Sequence, residues 1–228
     1  MTAHVTAHPD PAAILRQIPY FETLAPEEVE ELASAAHLRL YRASEVIFSQ
    51  GQPAAGLWCV AAGRVKAVRF SPQGRELIIK FFEPYETFGE VGALEGGENP
   101  SNAIAAVDSR ILLVPRQALA PLLRRHPEVD TRIMRAMAQK LRYAMSRFEQ
   151  ATLFDVRTRL AAFLLAQRLS GQTVCRLSQE EVASMLGTVR QVVGRALAEL
   201  QSAGAIRVRR GAIEILRPEV LQDAVQLL

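Results

Sequence analysis

Residues 177–216 read LSQEEVASMLGTVRQVVGRALAELQSAGAIRVRRGAIEIL. Ser178 stands three residues before Glu181, the spacing at which a hydroxyl and a carboxylate satisfy each other's backbone N–H groups at a helix start. Val182, Ala183, Met185 and Leu186 give that helix an apolar face, and Gly187 closes it. Thr188 and Gln191 repeat the S/T-x-x-E/Q pattern. This predicts a second helix capped at Thr188 and running to about Ser202, with Gly204 in the left-handed terminal position. Two short helices joined through Gly187 predict a helix-turn-helix over residues 178–202.

The second helix carries two faces. Val193, Ala196, Leu197 and Leu200 are apolar and predicted to pack inward, while Arg190, Gln191, Gly194 and Arg195 share the opposite side of the first two turns. The N-terminal turns of a recognition helix are the part that reaches base edges in a major groove. Arginine bonds guanine O6 and N7 with two parallel donors, and glutamine does the same to adenine N6 and N7. Gly194 costs about 1 kcal/mol of helix propensity against alanine but lets the helix lie close to a duplex. Base reading is therefore assigned to Arg190, Gln191 and Arg195. Two apolar runs, Ile206–Val208 and Ile213–Leu216, flank Arg209–Arg210–Gly211 and predict a basic-tipped hairpin wing. Thr188, Arg209 and Arg210 are the candidate phosphate contacts.

Charge along the chain agrees with such a reader. The net charge of +3 hides 8 basic and 14 acidic residues in 1–109, 9 and 3 in 110–151, and 10 and 7 in 152–228. Nearly all the basic residues are arginine, the side chain better shaped for phosphate and guanine. An acidic sensor followed by a basic nucleic-acid reader fits this sign change.

Working outward, residues 1–10 read as disordered, a short helix follows, and Pro26 with Glu27, Glu28, Glu30 and Glu31 opens a helix over 26–36. From 38 to 115 the period shortens. Strands are predicted at 46–49, 57–62, 64–70, 75–82, 103–107 and 110–114, separated by Gly- and Pro-rich turns, which suggests a β-sandwich or roll. Residues 116–151 then read as one long helix. Met134, Met137, Leu141, Ala144, Phe148 and Ala151 step by 3 and 4 as a heptad seam, predicted to pair two copies. Residues 152–170, with Leu153, Val156, Leu160, Phe163, Leu164 and Leu169, form another amphipathic helix ending at Gly171. The expected architecture is α+β: a sensor roll over 1–115, a dimerisation helix over 116–151 and a winged helix-turn-helix over 152–228.

Together these motifs resemble the cyclic-AMP receptor protein and fumarate–nitrate reduction regulator (CRP/FNR) family over nearly the full length, with GTVRQVVGRAL at 187–197 similar to its recognition helix. The resemblance implies a homodimeric transcription regulator. It implies binding to palindromic double-stranded DNA, with recognition helices one turn apart, roughly 34 Å, and contact with RNA polymerase. Gln191 stands where that family often has glutamate, so the preferred base shifts from cytosine toward adenine.

FGEVGALEGGENPSNA, residues 88–103, resembles the family's phosphate-binding cassette. Gly89 and Glu90 keep the ribose-holding pattern. The family's arginine and serine on the cyclic phosphate correspond to Pro100 and Ser101, and its adenine-contacting pair to Ala144 and Met145. A buried phosphate without its cation loses a charge-assisted, often bidentate contact, so this degenerate pocket argues against a cyclic nucleotide. Residues 1–30 hold no cysteine, which excludes the family's iron–sulfur mechanism. The candidate haem ligands are His37, His126, Met145 and Cys59, and each has a simpler structural reading; Cys59 and Cys175 could sense oxidation only as isolated thiols. No cofactor is assigned, and activity set by the amount of protein ranks first. No catalytic carboxylate pair, nucleophile triad or phosphate-binding G-x-x-x-x-G-K loop is present, so no enzyme is expected. There is no apolar run of 18 residues, and His4, His8, Pro9 and Asp10 occupy the place where a signal peptide needs apolar residues. No membrane association and a cytoplasmic location are expected.

Overall fold

The computed structural model describes residues 10–226. The disorder predicted for residues 1–10 thus concerns, except for Asp10, positions outside the described residues. The chain divides into two compact units. One comprises the residues up to Arg69 with Ile79–Gln139, the other Phe70–Ile78 with Lys140 onward.

In the first unit, α1 (Pro11–Leu15) starts at Asp10, whose carboxylate accepts from the Ala12 N–H at 3.2 Å. A 3₁₀ turn at Pro19–Phe21 leads to α2 (Pro26–Ala35), with Glu27 and Glu28 in its first turn. The strands follow: β1 (His37–Tyr41), β2 (Val46–Phe48), β3 (Gly56–Ala62), β4 (Val65–Phe70), β5 (Glu76–Phe82) and β6 (Thr87–Phe88). The short helix α3 (Glu90–Glu95) precedes β7 (Asn102–Ala105) and β8 (Ser109–Pro115). They form two four-stranded sheets in the orders β1-β8-β3-β6 and β2-β7-β4-β5. The expected roll is present. Sequence reading missed β1, an edge strand whose Leu40 is 65% exposed, and β6, which is two residues long.

Period-two alternation on β3 divides the core. Trp58 and Val60 face the other sheet, packed with Phe48, Val65, Phe82, Phe88 and Ile111. Leu57 and Cys59 face the opposite way, against Leu15, Ile18, Phe21 and Leu32 from the N-terminal helices. With both faces covered, β3 reads as a continuous apolar run.

The single helix expected over 116–151 is instead two, α4 (Arg116–Arg125) and α5 (Pro127–Leu153). Pro127 lacks an N–H and disfavours helical geometry at the residue before it; His126 sits at φ −127°, ψ 77° and ends α4. Leu119 and Leu122 of α4, and Val129 and Ile133 of α5, belong to the core beneath the N-terminal helices. The roll unit therefore extends past residue 115 to Gln139.

In the second unit, α5 ends at Leu153. Asp155 then caps α6 (Val156–Leu169) by accepting from the Thr158 N–H at 2.8 Å. The helix predicted over 152–170 thus begins four residues later, because the Asp155 cap breaks the chain there. Leu160, Phe163 and Leu164 are buried, whereas Leu153 and Leu169 are exposed. After β9 (Val174–Cys175) come α7 (Gln179–Leu186), α8 (Arg190–Ser202), β10 (Ile206–Arg209), β11 (Ala212–Ile215) and α9 (Pro218–Gln226). The strands form an antiparallel sheet in the order β10-β11-β9. Leu160, Leu164, Val182, Val193, Leu200 and Leu221, all on the helices of this unit, are fully buried.

Candidate nucleic-acid interface

The start of α7 is capped reciprocally. Ser178 Oγ accepts from the Glu181 N–H at 3.2 Å, and Glu181 Oε2 accepts from the Ser178 N–H at 2.7 Å. At its end, Gly187 adopts φ 63°, and the Thr188 N–H donates to the Ala183 carbonyl at 3.0 Å. That bond explains a correction. The capping box predicted at Thr188 and Gln191 does not form, because Thr188 is used in closing α7. The N-cap of α8 is Val189, extended at φ −110°, ψ 151°, without a side-chain cap bond.

On α8, Val193, Ala196, Leu197 and Leu200 are buried as expected. Arg190, Gln191 and Arg195 are exposed on the other face. Among the described residues none of the three side chains has a hydrogen bond or ion pair. A Cβ on Gly194 would meet only Gln179 Oε1, at 3.8 Å. Nothing within the fold demands glycine there, so its openness is toward solvent. Gln179, the first residue of α7, shares this surface; sequence reading missed it because it precedes the apolar face of its helix.

The wing is a two-residue hairpin: Arg209 pairs with Ala212 across Arg210 and Gly211, the latter at φ 70°. Arg209 and Arg210 are exposed. Glu214 Oε2 lies 3.4 Å from Arg207 Nη1 and 3.5 Å from Arg209 Nε, leaving Arg210 as the tip's unengaged guanidinium among the described residues. Gln201 Oε1 accepts from the Val208 N–H at 2.8 Å and fastens the wing to the end of α8. Thr188 is half-buried at the turn.

The cassette in the first unit is organised differently. Gly89, at φ 80°, precedes α3, and a Cβ on it would sit 2.8 Å from Trp58 Cδ1. Glu90 is 4% exposed. Its Oε1 accepts from Thr87 Oγ1 at 2.6 Å and from the Tyr20 hydroxyl at 3.2 Å. Burial, reinforced by Glu90, drives the Tyr20 phenol well above its ordinary pKa. Arg116 Nε donates to the Ala93 carbonyl at 3.2 Å near the far end of α3. Pro100 is exposed, and its carbonyl accepts from Arg69 Nη1 at 2.9 Å; Ser101 is half-buried. Trp58 Nε1 is a buried donor without a partner among the described residues, and it is uncharged. Tyr20 and Thr87 were not found from sequence; Tyr20 lies 70 residues before Glu90 and no local pattern links them.

Ala144 and Met145 lie in the second unit, on an exposed face of α5 beside Leu141, Phe148 and Glu149. Of the seam residues, Met134, Leu141, Ala144 and Phe148 are exposed, while Met137 is half-buried against the first unit's core. The haem candidates are scattered. His126 Nε2 lies 2.6 Å from Glu28 and Nδ1 2.9 Å from Glu128, so both ring nitrogens are engaged. His37 and Met145 are exposed on separate elements. Cys59 and Cys175 are buried, and burial, with Glu90's charge adding, pushes the Cys59 thiol up to about 12, which suppresses the reactive thiolate. No helix among the described residues is long and apolar enough to cross a membrane.

Two families match the chain: the cyclic nucleotide-binding domain over residues 38–126 and the Crp-like helix-turn-helix domain over residues 158–224. The chain is 32% identical over 206 residues to a cyclic AMP receptor protein of Thermus thermophilus, covering 90% of this chain and 95% of that one. It is 28% identical over 216 residues to a CRP-like cAMP-activated global transcriptional regulator of Mycobacterium tuberculosis, covering 91% and 96%. Among solved structures, FixK2 from Bradyrhizobium japonicum superposes with a TM-score of 0.73 at 26% identity, covering 83% of this chain and 96% of that one.

Proposed function

The chain belongs to the CRP/FNR family of DNA-binding transcription regulators, and from that premise we propose that it binds palindromic promoter sites as a homodimer without cyclic AMP. It is not an enzyme. The observation that carries the reading is the face of α8: Arg190, Gln191 and Arg195 project unpaired from a helix whose other side is anchored by Val193, Ala196, Leu197 and Leu200. Unengaged guanidiniums over a fixed helix are ready to bond guanine edges without first breaking an internal contact. Thr188, Arg209 and Arg210 hold the backbone phosphates that set the register.

The exposed stripe of Met134, Leu141, Ala144 and Phe148 supports pairing through α5. Burying each large side chain against a second copy contributes roughly 1.5–3 kcal/mol. The cassette supports independence from cyclic AMP. The phosphate arginine is replaced by Pro100, which has neither cation nor N–H, and the Glu90 carboxyl group already accepts from Tyr20 and Thr87. Arg69 faces Pro100 but spends a donor on its carbonyl. Control by protein abundance follows, with the dimer acting in the cytoplasm and contacting RNA polymerase as the family resemblance implies.

Selection of duplexes from a random pool by the full chain, with and without cyclic AMP, tests the reading. The expected result is a two-fold symmetric site recovered equally in both arms, with binding that weakens steeply as salt rises. A site without symmetry argues against the homodimer. Enrichment only with the nucleotide overturns the ligand-free reading.

A further inference from the structure

Two arginines outside the helix-turn-helix reach into its turn. The last carbonyls of α7, on Met185 and Leu186, lie next to the left-handed Gly187. Arg159, in the first turn of α6, donates from Nη1 to the Leu186 carbonyl at 2.7 Å. Arg147, near the end of α5, donates from Nη2 to the Met185 carbonyl. Two cations on one helix C-terminus complement its partial negative charge.

The arrangement costs more than simple capping requires. Gly187 and Thr188 already close α7 through their own N–H groups on the Ala183 carbonyl. The two guanidiniums repel each other, and burial together with Arg147 lowers the Arg159 pKa. Arg159 Nε is buried without a partner among the described residues. What the pair adds is geometry. α5 and α6 are separated by the Phe154–Asp155 break, and one arginine comes from each side of it. Both end on the short turn that leads into α8. A third arginine, Arg157 of α6, reaches Glu199 on α8 at 3.5 Å.

We infer that Arg147 and Arg159 are positioning residues that brace the helix-turn-helix turn across the α5–α6 break and thereby fix the spacing of the two readers in the dimer. The inference rests on the palindrome-binding homodimer proposed above. Neither arginine touches DNA in that reading. Their effect falls on how two half-sites are engaged together, not on how one is read.

The test uses the full chain and four duplexes: the selected palindrome, the same palindrome with its centre lengthened by one and by two base pairs, and a single half-site. The wild type is expected to favour the selected spacing. Arg147→Ala should lose about tenfold on that palindrome, within the usual range of coupling between sites, keep its half-site affinity, and discriminate less between spacings. Arg147→Lys should recover part of the loss, since it keeps the charge and one donor. Arg159→Lys, read in the same way, gives a second variant from the other side of the break. Equal losses on half-site and palindrome would show that the arginine only supports the fold, and overturn the inference. So would unchanged palindrome binding, or a wild type indifferent to spacing. A wild type that binds no duplex at all would instead remove the DNA reading on which this one stands.

Discussion

Arg190, Gln191 and Arg195 stand on α8 with their polar ends in solvent, whereas Glu90, at the start of the cassette helix, is 4% exposed and bonded to Tyr20 and Thr87. Both segments carry the polar residues that the family resemblance marks as ligand-holding. In one they are exposed and unpaired among the described residues; in the other the fold has supplied their partners. A ligand-binding residue type is therefore informative only together with what else its atoms touch. The two regions should then respond oppositely to substitution, function failing in one and stability in the other.

Arg195→Ala should give the largest effect. Each bidentate base contact is worth about 1–3 kcal/mol, so a dimer losing two should lose roughly 2–6 kcal/mol of specific affinity. Equilibrium binding at fixed salt measures this, with thermal unfolding unchanged. Retained promoter specificity would break the contrast at its stronger side. Tyr20→Phe removes a hydroxyl donor from Glu90 and should destabilise the roll by about 1–3 kcal/mol. Denaturant titration should show it while half-site affinity per folded molecule stays the same; a variant of undiminished stability would mean that the Glu90 network is not what organises the cassette.

Tyr85, in the turn before the cassette, sits at φ 68° and is 45% exposed. Replacing it with glycine relieves left-handed strain of about 1–2 kcal/mol against a chain-entropy cost of about 0.5–1 kcal/mol. A small net gain in melting temperature is expected, with DNA binding unaltered. The smallest effect concerns pH. His126 bridges Glu28 and Glu128, with Arg125 and Arg132 beside them, and its pKa is raised, first by the Glu128 hydrogen bond. A raised folded-state value means that the bridge stabilises fully below the ordinary histidine pKa and fades as pH climbs through the folded one. Glu28 and Glu128 are lowered, by their hydrogen bonds to the backbone first, so their contribution fades as pH falls through their own reduced values. The roll unit should be most stable in the weakly acidic window between, and His126→Gln should flatten the upper limb of that profile.

The reader was legible in advance because its signals are local. Ser178 and Glu181 lie three residues apart, Gly187 and Gly204 mark helix ends, and the two faces of α8 follow from helical period. Where that logic failed, a neighbouring bond had already claimed the residue, as at Thr188. The break at Pro127 has a local signal of its own, a proline that disfavours helix at His126, but the heptad steps from Met134 onward do not register it. Glu90 was legible as a cassette residue through the resemblance, but its partners were invisible: Tyr20 lies 70 residues away in the chain and reaches it only after the N-terminal segment packs on the roll. Sequence periodicity reports which face a residue occupies. It does not report which distant hydroxyl arrives there.

The core beneath the N-terminal helices has a consequence for synthesis. Ile14, Leu15, Ile18 and Phe21 pack with Leu112, Leu119, Leu122, Val129 and Ile133, residues translated about a hundred codons later. At an ordinary pace of about 5–20 residues per second, the nascent chain carries these apolar groups unsheltered for roughly ten seconds. The first part of this unit to leave the ribosome is thus among the last to be seated.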